Sequence, residues 1–305
     1  MIARQRRRRV CKNSFFDLTA KDAEFAEIYK FFFCELSGKI EEMIFLKLGG
    51  SAITDKTRQA TAQQDVIRGI AVQVKQAREI QPALGILLGH GSGSFGHFAA
   101  KKFGYGQPDN WNAYAETGAA AARLNRIVND AFLAEHVPVV TMQPSASAYC
   151  RDGKLIELAI EPIRAALDHE LVPLVYGDVA FDEVRGRAII STETQFAYLA
   201  PILKPQKIIL AGMVDGVFTG DPLRDTFAEL IHEITPRNFS EIESQLSGSH
   251  GYDVTGGMIA KVKSMVALVQ REPSIRIHII SALREGMIER VLTQEDFSEG
   301  TIIHA

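Results

Sequence analysis

Cysteine is scarce in this chain of 305 residues: Cys11, Cys34 and Cys150 are the only three. An odd number with no metal-ligand spacing excludes a disulfide-stapled scaffold and a thiolate metal site. It fits inert thiols in a reducing cytoplasm. Long apolar runs are missing too. None approaches the 18 or so residues of a membrane helix, and Phe31-Phe32-Phe33 is short with charges nearby, so no membrane span is expected. A basic surplus is absent: the net charge is -3, which gives no global reason to expect nucleic acid as a partner. No internal repeat or low-complexity linker interrupts the chain. What remains is ordinary for a soluble globular protein, with 46% hydrophobic and 23% charged residues and enough length for one large or two small domains.

Residues 1–42 differ from the rest. Arg4 to Arg9 form a basic cluster broken only by Gln5, and Phe15-Phe16 and Phe31-Phe32-Phe33 follow. One reading is an arm for nucleic acid or a membrane surface. The other is an extension, disordered or packed as an added helix. A secretory signal is not expected, because no apolar core follows the arginines.

From Met43 the pattern alternates between strands and helices. Strands are expected at Met43–Leu48, Leu84–Leu88, Pro138–Met142, Val172–Tyr176, Ala188–Ile190, Lys207–Ala211 and Ile275–Ile280. Helices are expected over 62–80, 112–135, 161–169, 194–203, 238–246, 257–271 and 285–292, with a further one starting near Ser94 to Phe98. Such alternation predicts an α/β fold, a three-layer αβα sandwich around a largely parallel sheet, as one domain with two lobes. Ligands of such sheets sit beyond the carboxyl ends of strands. The glycine clusters after residues 48, 88, 176 and 211 all fall there.

The densest cluster is Gly89-His90-Gly91-Ser92-Gly93-Ser94-Phe95-Gly96-His97. A loop with little side-chain bulk lets backbone N–H groups approach an anion, and a helix starting there adds its positive end. The reading is a phosphate cradle with His97 as a further donor; the alternative is a tight strand-to-helix turn with a satisfied histidine. Gly91-x-Gly93-x-x-Gly96 formally fits a dinucleotide fingerprint, but the acidic second strand that fingerprint needs is not evident. Gly91 and Gly96 have P-loop spacing, yet His97-Phe98 stands where Lys-Ser/Thr is required. Cations must then come from elsewhere. Lys47 sits inside an apolar strand directly before Gly49-Gly50-Ser51, where a charge calls for an anionic partner. Lys56 lies in a polar loop, with a solvated lysine as the alternative. Lys261 follows Thr255-Gly256-Gly257-Met258, read as a loop opening a helix, with a solvated face beside Lys263 as its alternative.

These segments, in this order, resemble the amino acid kinase superfamily and, within it, the isopentenyl phosphate kinases. The likeness rests on Lys47-Leu-Gly-Gly-Ser-Ala-Ile-Thr-Asp-Lys56, His90-Gly-Ser-Gly-Ser-Phe-Gly-His97, Tyr176-Gly-Asp178, Val214-Asp-Gly-Val-Phe-Thr-Gly-Asp-Pro222 and Asp253-Val-Thr-Gly-Gly-Met-Ile-Ala-Lys261. It spans residues 43–303. Its first and last segments are common to many kinases of the superfamily; the Ser-Phe-Gly-His ending marks the subset acting on a phosphate or phosphonate.

The resemblance implies the amino acid kinase fold, with an acceptor lobe over about 43–185 and an ATP lobe over about 186–305. It implies transfer of the ATP γ-phosphate to isopentenyl phosphate, Mg²⁺ brought with ATP, a cytoplasmic enzyme and a homodimer. Lys47 would contact the transferring phosphate and Lys56 would stabilise the transition state. Gly91 and His97 would hold the acceptor phosphate, with Gly177 at the acceptor site and Ser92 facing the nucleotide phosphates. Asp215, Gly220, Gly257 and Lys261 would line the ATP lobe. No metal ligand is assigned. Phe98, Phe103, Tyr105, Trp111, Tyr114, Met142 and Tyr149 are candidates for an apolar tail pocket, and equally for ordinary core or surface aromatics. Many relatives carry Gly-Asp-Asp where this chain has Ser191-Thr192-Glu193-Thr194-Gln195, so Glu193 replaces one acid and the second is missing. The competing readings are a kinase of another phosphate or phosphonate such as fosfomycin, a non-catalytic sensor on the same fold, and a dinucleotide oxidoreductase.

Overall fold

The computed structural model describes residues 40–107, 109–248 and 253–305. Both readings of the segment 1–42 lie outside the described residues except at 40–42, where β1 already begins at Glu42. Among these described residues there are fourteen strands. They are β1 (Glu42–Leu48), β2 (Leu84–His90), β3 (Val139–Thr141), β4 (Tyr149–Arg151), β5 (Lys154–Glu157), β6 (Val172–Tyr176) and β7 (Asp178–Asp182). The others are β8 (Gly186–Ile190), β9 (Lys207–Gly212), β10 (Val217–Phe218), β11 (Leu230–Ile231), β12 (Glu233–Ile234), β13 (Arg276–Ser281) and β14 (Thr301–Ile303). The helices are α1 (Gly50–Ile53), α2 (Gln64–Ile80), α3 (Gly93–Lys102), α4 (Trp111–Ala134) and α5 (Glu161–Asp168). They continue with α6 (Thr192–Leu203), α7 (Phe239–Gly248), α8 (Asp253–Arg271) and α9 (Met287–Thr293).

The main sheet runs in the order β12-β14-β13-β9-β1-β2-β6-β3. From β13 to β3 every pairing is parallel, and β14 lies antiparallel to β13. Successive side chains of a strand point to opposite faces. In β1, Ile44, Leu46 and Leu48 join the core built with α2, α3, α4 and α9, whereas Met43 and Phe45 join the core built with α5, α6, α7 and α8. Three layers result, as the alternation predicts. Helix α2 shows the cause locally: Ile67, Ile70, Ala71, Val74 and Ala77 fall on one stripe at helical spacing and are buried. Burying each large aliphatic side chain contributes about 1.5–3 kcal/mol over leaving it in water. The same period of two sends Lys47 to the face that carries α6 and α8.

A smaller sheet, β5-β4-β7-β8, was not expected. Its first hairpin turns at Asp152-Gly153, both with positive φ (50° and 78°), the conformation of a tight two-residue hairpin loop. Among the described residues no helix is long and apolar enough to cross a membrane.

His278 on β13 is buried, lies edge-on to Phe297 at 5.9 Å and, among the described residues, has no hydrogen-bond partner for either ring nitrogen. Burial, aided by the Lys207 and Arg276 charges, pushes its pKa from 6.5 down to about 4. The unfolded chain therefore takes up the proton first. The stability that neutral His278 contributes is full above pH 6.5 and is lost as pH falls toward 4. Thermal unfolding from pH 7 to pH 4.5 should show a falling Tm, with a shallower fall in His278→Leu; identical slopes would contradict this.

Candidate active site

Neighbouring parallel strands end level with one another, and their turns lock together by continuing the sheet. The Gly49 N–H donates to the Ala211 carbonyl (2.7 Å), the Gly91 N–H to that of Leu48 (3.0 Å) and the Gly177 N–H to that of His90 (2.9 Å). A Cβ on Gly50 would lie 2.6 Å from the Gly93 nitrogen, so the turns after β1 and β2 touch only because residue 50 has no side chain. The Thr54 hydroxyl donates to the Gly50 carbonyl (2.6 Å) and accepts from the Ser94 N–H (2.9 Å), tying α1 to the first turn of α3. Gly50→Ala is expected to lower Tm by several degrees and activity at least about tenfold, since backbone must move where backbone meets backbone; unchanged kinetics would show the approach to be dispensable.

The glycine loop is shorter than its sequence suggests. β2 continues through Gly89 to His90, and α3 begins at Gly93, which leaves Gly91 and Ser92 as the turn. Gly89 is in the strand because a Cβ there would be 2.4 Å from Thr192 Cγ2, and one on Gly96 would be 2.4 Å from Ser92 Oγ. These two glycines serve packing. Gly177 does meet the turn: a Cβ on it would lie 3.4 Å from the Ser92 nitrogen and 3.9 Å from Gly91 Cα.

Lys47 is buried and ion-paired with Glu193, and Lys261 Nζ lies 3.9 Å from the same carboxylate oxygen. Burial alone would raise the Glu193 pKa, but the Lys47 and Lys261 charges outweigh it and hold the carboxyl at about 2. Burial lowers the Lys261 pKa; Lys47 and Lys56 add to the shift and Glu193 opposes it. Two ammonium groups and one carboxylate leave a net positive charge in a place with little water. Helix α6 carries Glu193 there by its first turn. Ser191 caps it, accepting from the Thr194 N–H (3.0 Å), Thr192 Oγ1 donates to the His90 carbonyl (2.6 Å) and Gln195 Nε2 donates to that of Tyr176 (2.7 Å). The helix thus starts at Thr192, not at 194, and its end is pinned to β2 and β6.

Beside the cluster opens a cleft of about 530 Å³ lined by Lys47, Lys56, Lys261, Gly49, Ser51 and Gly220, with apolar walls from Leu210, Val214, Phe218 and Met258. Three of the lysines read from the sequence therefore share one space. The expected loop before Lys261 is instead helix: α8 runs from Asp253 through Gly256 and Gly257. Two glycines cost a helix about 1 kcal/mol each, and the buried stripe Val262, Met265, Val266 and Val269 outweighs that. Gly257 is exposed on this helix, next to Met258 of the cleft lining. Asp215 is not in the lining; it pairs with Arg284 at 3.5 Å. His97 lies on the exposed side of α3, outside the cleft lining.

Of the tail candidates, Tyr105, Trp111 and Tyr114 come together. Tyr114 stacks on Phe181 at 4.9 Å, and the Arg187 guanidinium lies over the Tyr105 and Trp111 rings at 4.9 and 5.7 Å. Phe103 and Met142 pack against opposite cores.

A profile of the amino acid kinase family matches residues 42–281. This chain belongs to the amino acid kinase family. Among its relatives, the isopentenyl phosphate kinase of Methanothermobacter thermautotrophicus is 35% identical over 274 residues, covering 83% of this chain and 96% of the relative. That of Methanocaldococcus jannaschii is 31% identical, covering 84% and 100%. A solved isopentenyl phosphate kinase structure superposes with a TM-score of 0.72 at 32% identity, covering 86% of this chain and all of the other. A product complex of the Thermoplasma acidophilum enzyme gives 0.69 at 27%. The chain therefore sits among the isopentenyl phosphate kinases of the family. Thr192 and Gln195, which anchor the helix turn that carries Glu193, were missed from sequence; the signal for them was the Ser191-x-x-Thr194 cap.

Proposed function

We propose that this enzyme transfers the γ-phosphate of ATP to isopentenyl phosphate, giving isopentenyl diphosphate and ADP. The observation that carries this reading is the meeting of Lys47, Glu193 and Lys261 at a cleft bordered by the glycine turns. The names of its relatives support the same acceptor.

The chemistry follows from charge. A phosphate monoester has a second pKa of about 6, so its oxygen is largely anionic at neutral pH and needs no strong base. That oxygen attacks the γ-phosphorus, the bond from γ-phosphorus to the bridging oxygen breaks, and ADP leaves with the electron pair. The difficulty is to bring two polyanions together, and fixed cations and N–H donors relieve it. Lys47 contacts the transferring phosphate, and Lys56, on its mobile stem, stabilises the transition state. Gly91, Gly177 and His97 hold the acceptor, and the Ser92 hydroxyl faces the nucleotide phosphates. Lys261, Gly220, Gly257 and Asp215 belong to the ATP side. Residues of about 43–185 form the acceptor lobe and about 186–305 the ATP lobe; the apolar cleft walls at 210–223 and 258, suited to a nucleotide base, support the latter.

Mg²⁺ enters with ATP. Among the described residues no three His, Cys, Asp or Glu side chains form a metal cage, and Glu193 is engaged by two lysines, so phosphate oxygens would supply most contacts. The enzyme works in the cytoplasm, where ATP is plentiful, and as a homodimer, which sedimentation can check.

His97 acts as a clamp, not a base. His97→Gln, which keeps a donor, should retain more activity than His97→Ala, with the difference in acceptor KM; equal losses would argue against the clamp. The proposal itself is tested by ADP release with isopentenyl phosphate, dimethylallyl phosphate and fosfomycin. Isopentenyl phosphate should give the highest kcat/KM, and a preference for fosfomycin would overturn it.

A further inference from the structure

The residue before the turn, His90, is fully buried at the end of β2 and lies outside the cleft lining. Its ring stacks on Tyr176 at 5.6 Å with an interplanar angle of 9°. Nδ1 lies 3.0 Å from the Gly91 carbonyl oxygen, and Nε2 lies 3.2 Å from Asn125 Nδ2. A carbonyl oxygen only accepts, so Nδ1 carries the proton; in the neutral ring Nε2 then accepts from the Asn125 amide. Asn125 Oδ1 accepts in turn from Thr141 Oγ1 (2.9 Å), which also reaches Asn129 Oδ1 (3.2 Å). Burial pushes the imidazole pKa down to about 4, the Gly91 bond opposing and the Lys47 charge adding, so the ring is neutral at pH 7. A hydrogen-bonded chain, from exposed Thr141 on β3 through buried Asn125 on α4, thus ends on one backbone carbonyl.

That carbonyl belongs to the turn. In a planar trans peptide, C=O and N–H point in opposite directions. With the Gly91 oxygen held by His90, the Ser92 N–H points to the opposite side of that peptide, and the Ser92 nitrogen lies beside Gly177, where a Cβ would come within 3.4 Å of it. The His90 carbonyl is fixed as well, by the Gly177 N–H (2.9 Å) and Thr192 Oγ1 (2.6 Å).

We propose that His90 is a positioning residue: its Nδ1–H holds the Gly91 carbonyl inward and so aims the Ser92 N–H at the acceptor phosphate bound over Gly177. This rests on the functional reading above for the identity of the anion. His90 touches no substrate. It sets the direction of a donor that has no side chain of its own to steer it, and Asn125 fixes which ring nitrogen bears the proton.

Two measurements test it. The first is nitrogen NMR of the full chain labelled at histidine, at pH 7. His90 should show a neutral ring protonated on Nδ1; protonation on Nε2 or on both nitrogens would overturn the proposal. The second is kinetic. His90→Asn places an amide N–H near the former Nδ1 and should keep the acceptor KM within about threefold, whereas His90→Leu should raise it about tenfold or more, as for loss of one aimed, charge-assisted donor. The ATP KM should stay within about twofold in both, because the nucleotide side of the cleft is untouched. Equal rises in both KM values, or no rescue by asparagine, would overturn the proposal. If His90→Leu fails to fold, the NMR result on the unmodified chain still decides. Wild-type protein inactive on isopentenyl phosphate would sink the functional reading; active wild type with an unchanged acceptor KM in His90→Leu would sink this inference alone.

Discussion

Lys47→Met is expected to lower kcat/KM for isopentenyl phosphate by about 10³-fold, the upper range for removing one preorganised charge from a reacting phosphate. Methionine keeps the apolar stem and removes the ammonium. The effect is large because Lys47 is already desolvated, with a relative exposure of 7%, so its field is little screened. It is also in place before substrate arrives, held by Glu193. The fold should survive, since Glu193 keeps Lys261 at 3.9 Å as a second partner. The loss should fall on kcat more than on either KM, because the charge matters most when the transferring phosphoryl group lies between donor and acceptor. A drop of less than tenfold, with a normal Tm, would mean that Lys47 serves packing and not transfer.

Glu193→Gln is expected to reduce kcat by about 10²-fold at pH 8, with partial recovery at lower pH. Glutamine has nearly the same shape but no charge, so Lys47 and Lys261 then face each other uncompensated. Among the influences on the Lys261 pKa, burial and the Lys47 charge lower it and Glu193 is the one that raises it. Removing Glu193 pushes the pKa lower still. A lysine is charged below its pKa, so the variant should lose activity as pH rises through a range where the wild type does not. Rate profiles from pH 6 to pH 9 read this directly; parallel profiles for the two proteins would show that Glu193 does not hold Lys261 charged. The variant should also resist acid better in one respect. The Glu193 carboxyl, held at about 2 against an ordinary 4.5, contributes stability that is present above pH 4.5 and lost as pH falls toward 2.

The architecture was legible because its signals are periodic. β1, β6 and α2 follow from apolar spacing, and the alternation of strand and helix implies the parallel sheet. Lys47 was legible as an anomaly, a charge inside an apolar strand. The side chain that answers it, Glu193, lies 146 residues away, and no local pattern shows that α6 aims its first turn at β1. The β4–β5 hairpin had a local signal in Asp152-Gly153, but its strands are of 3 and 4 residues, too short for alternation to stand out. The glycines at 89 and 96 misled for a physical reason. A glycine demanded by a neighbour's side chain and a glycine demanded by an anion look alike until the neighbour is in place. The start of α8 misled likewise, because Gly256-Gly257 reads as a break and only the packing of the later turns keeps it helical.

Phosphorus NMR of the complete reaction tests the central claim most directly, since it sees where the phosphoryl group goes. With ATP, Mg²⁺ and isopentenyl phosphate, the single monoester resonance should give way to the coupled pair of a diphosphate, in step with the appearance of ADP. ADP accompanied by inorganic phosphate, with the monoester signal unchanged, would contradict the account.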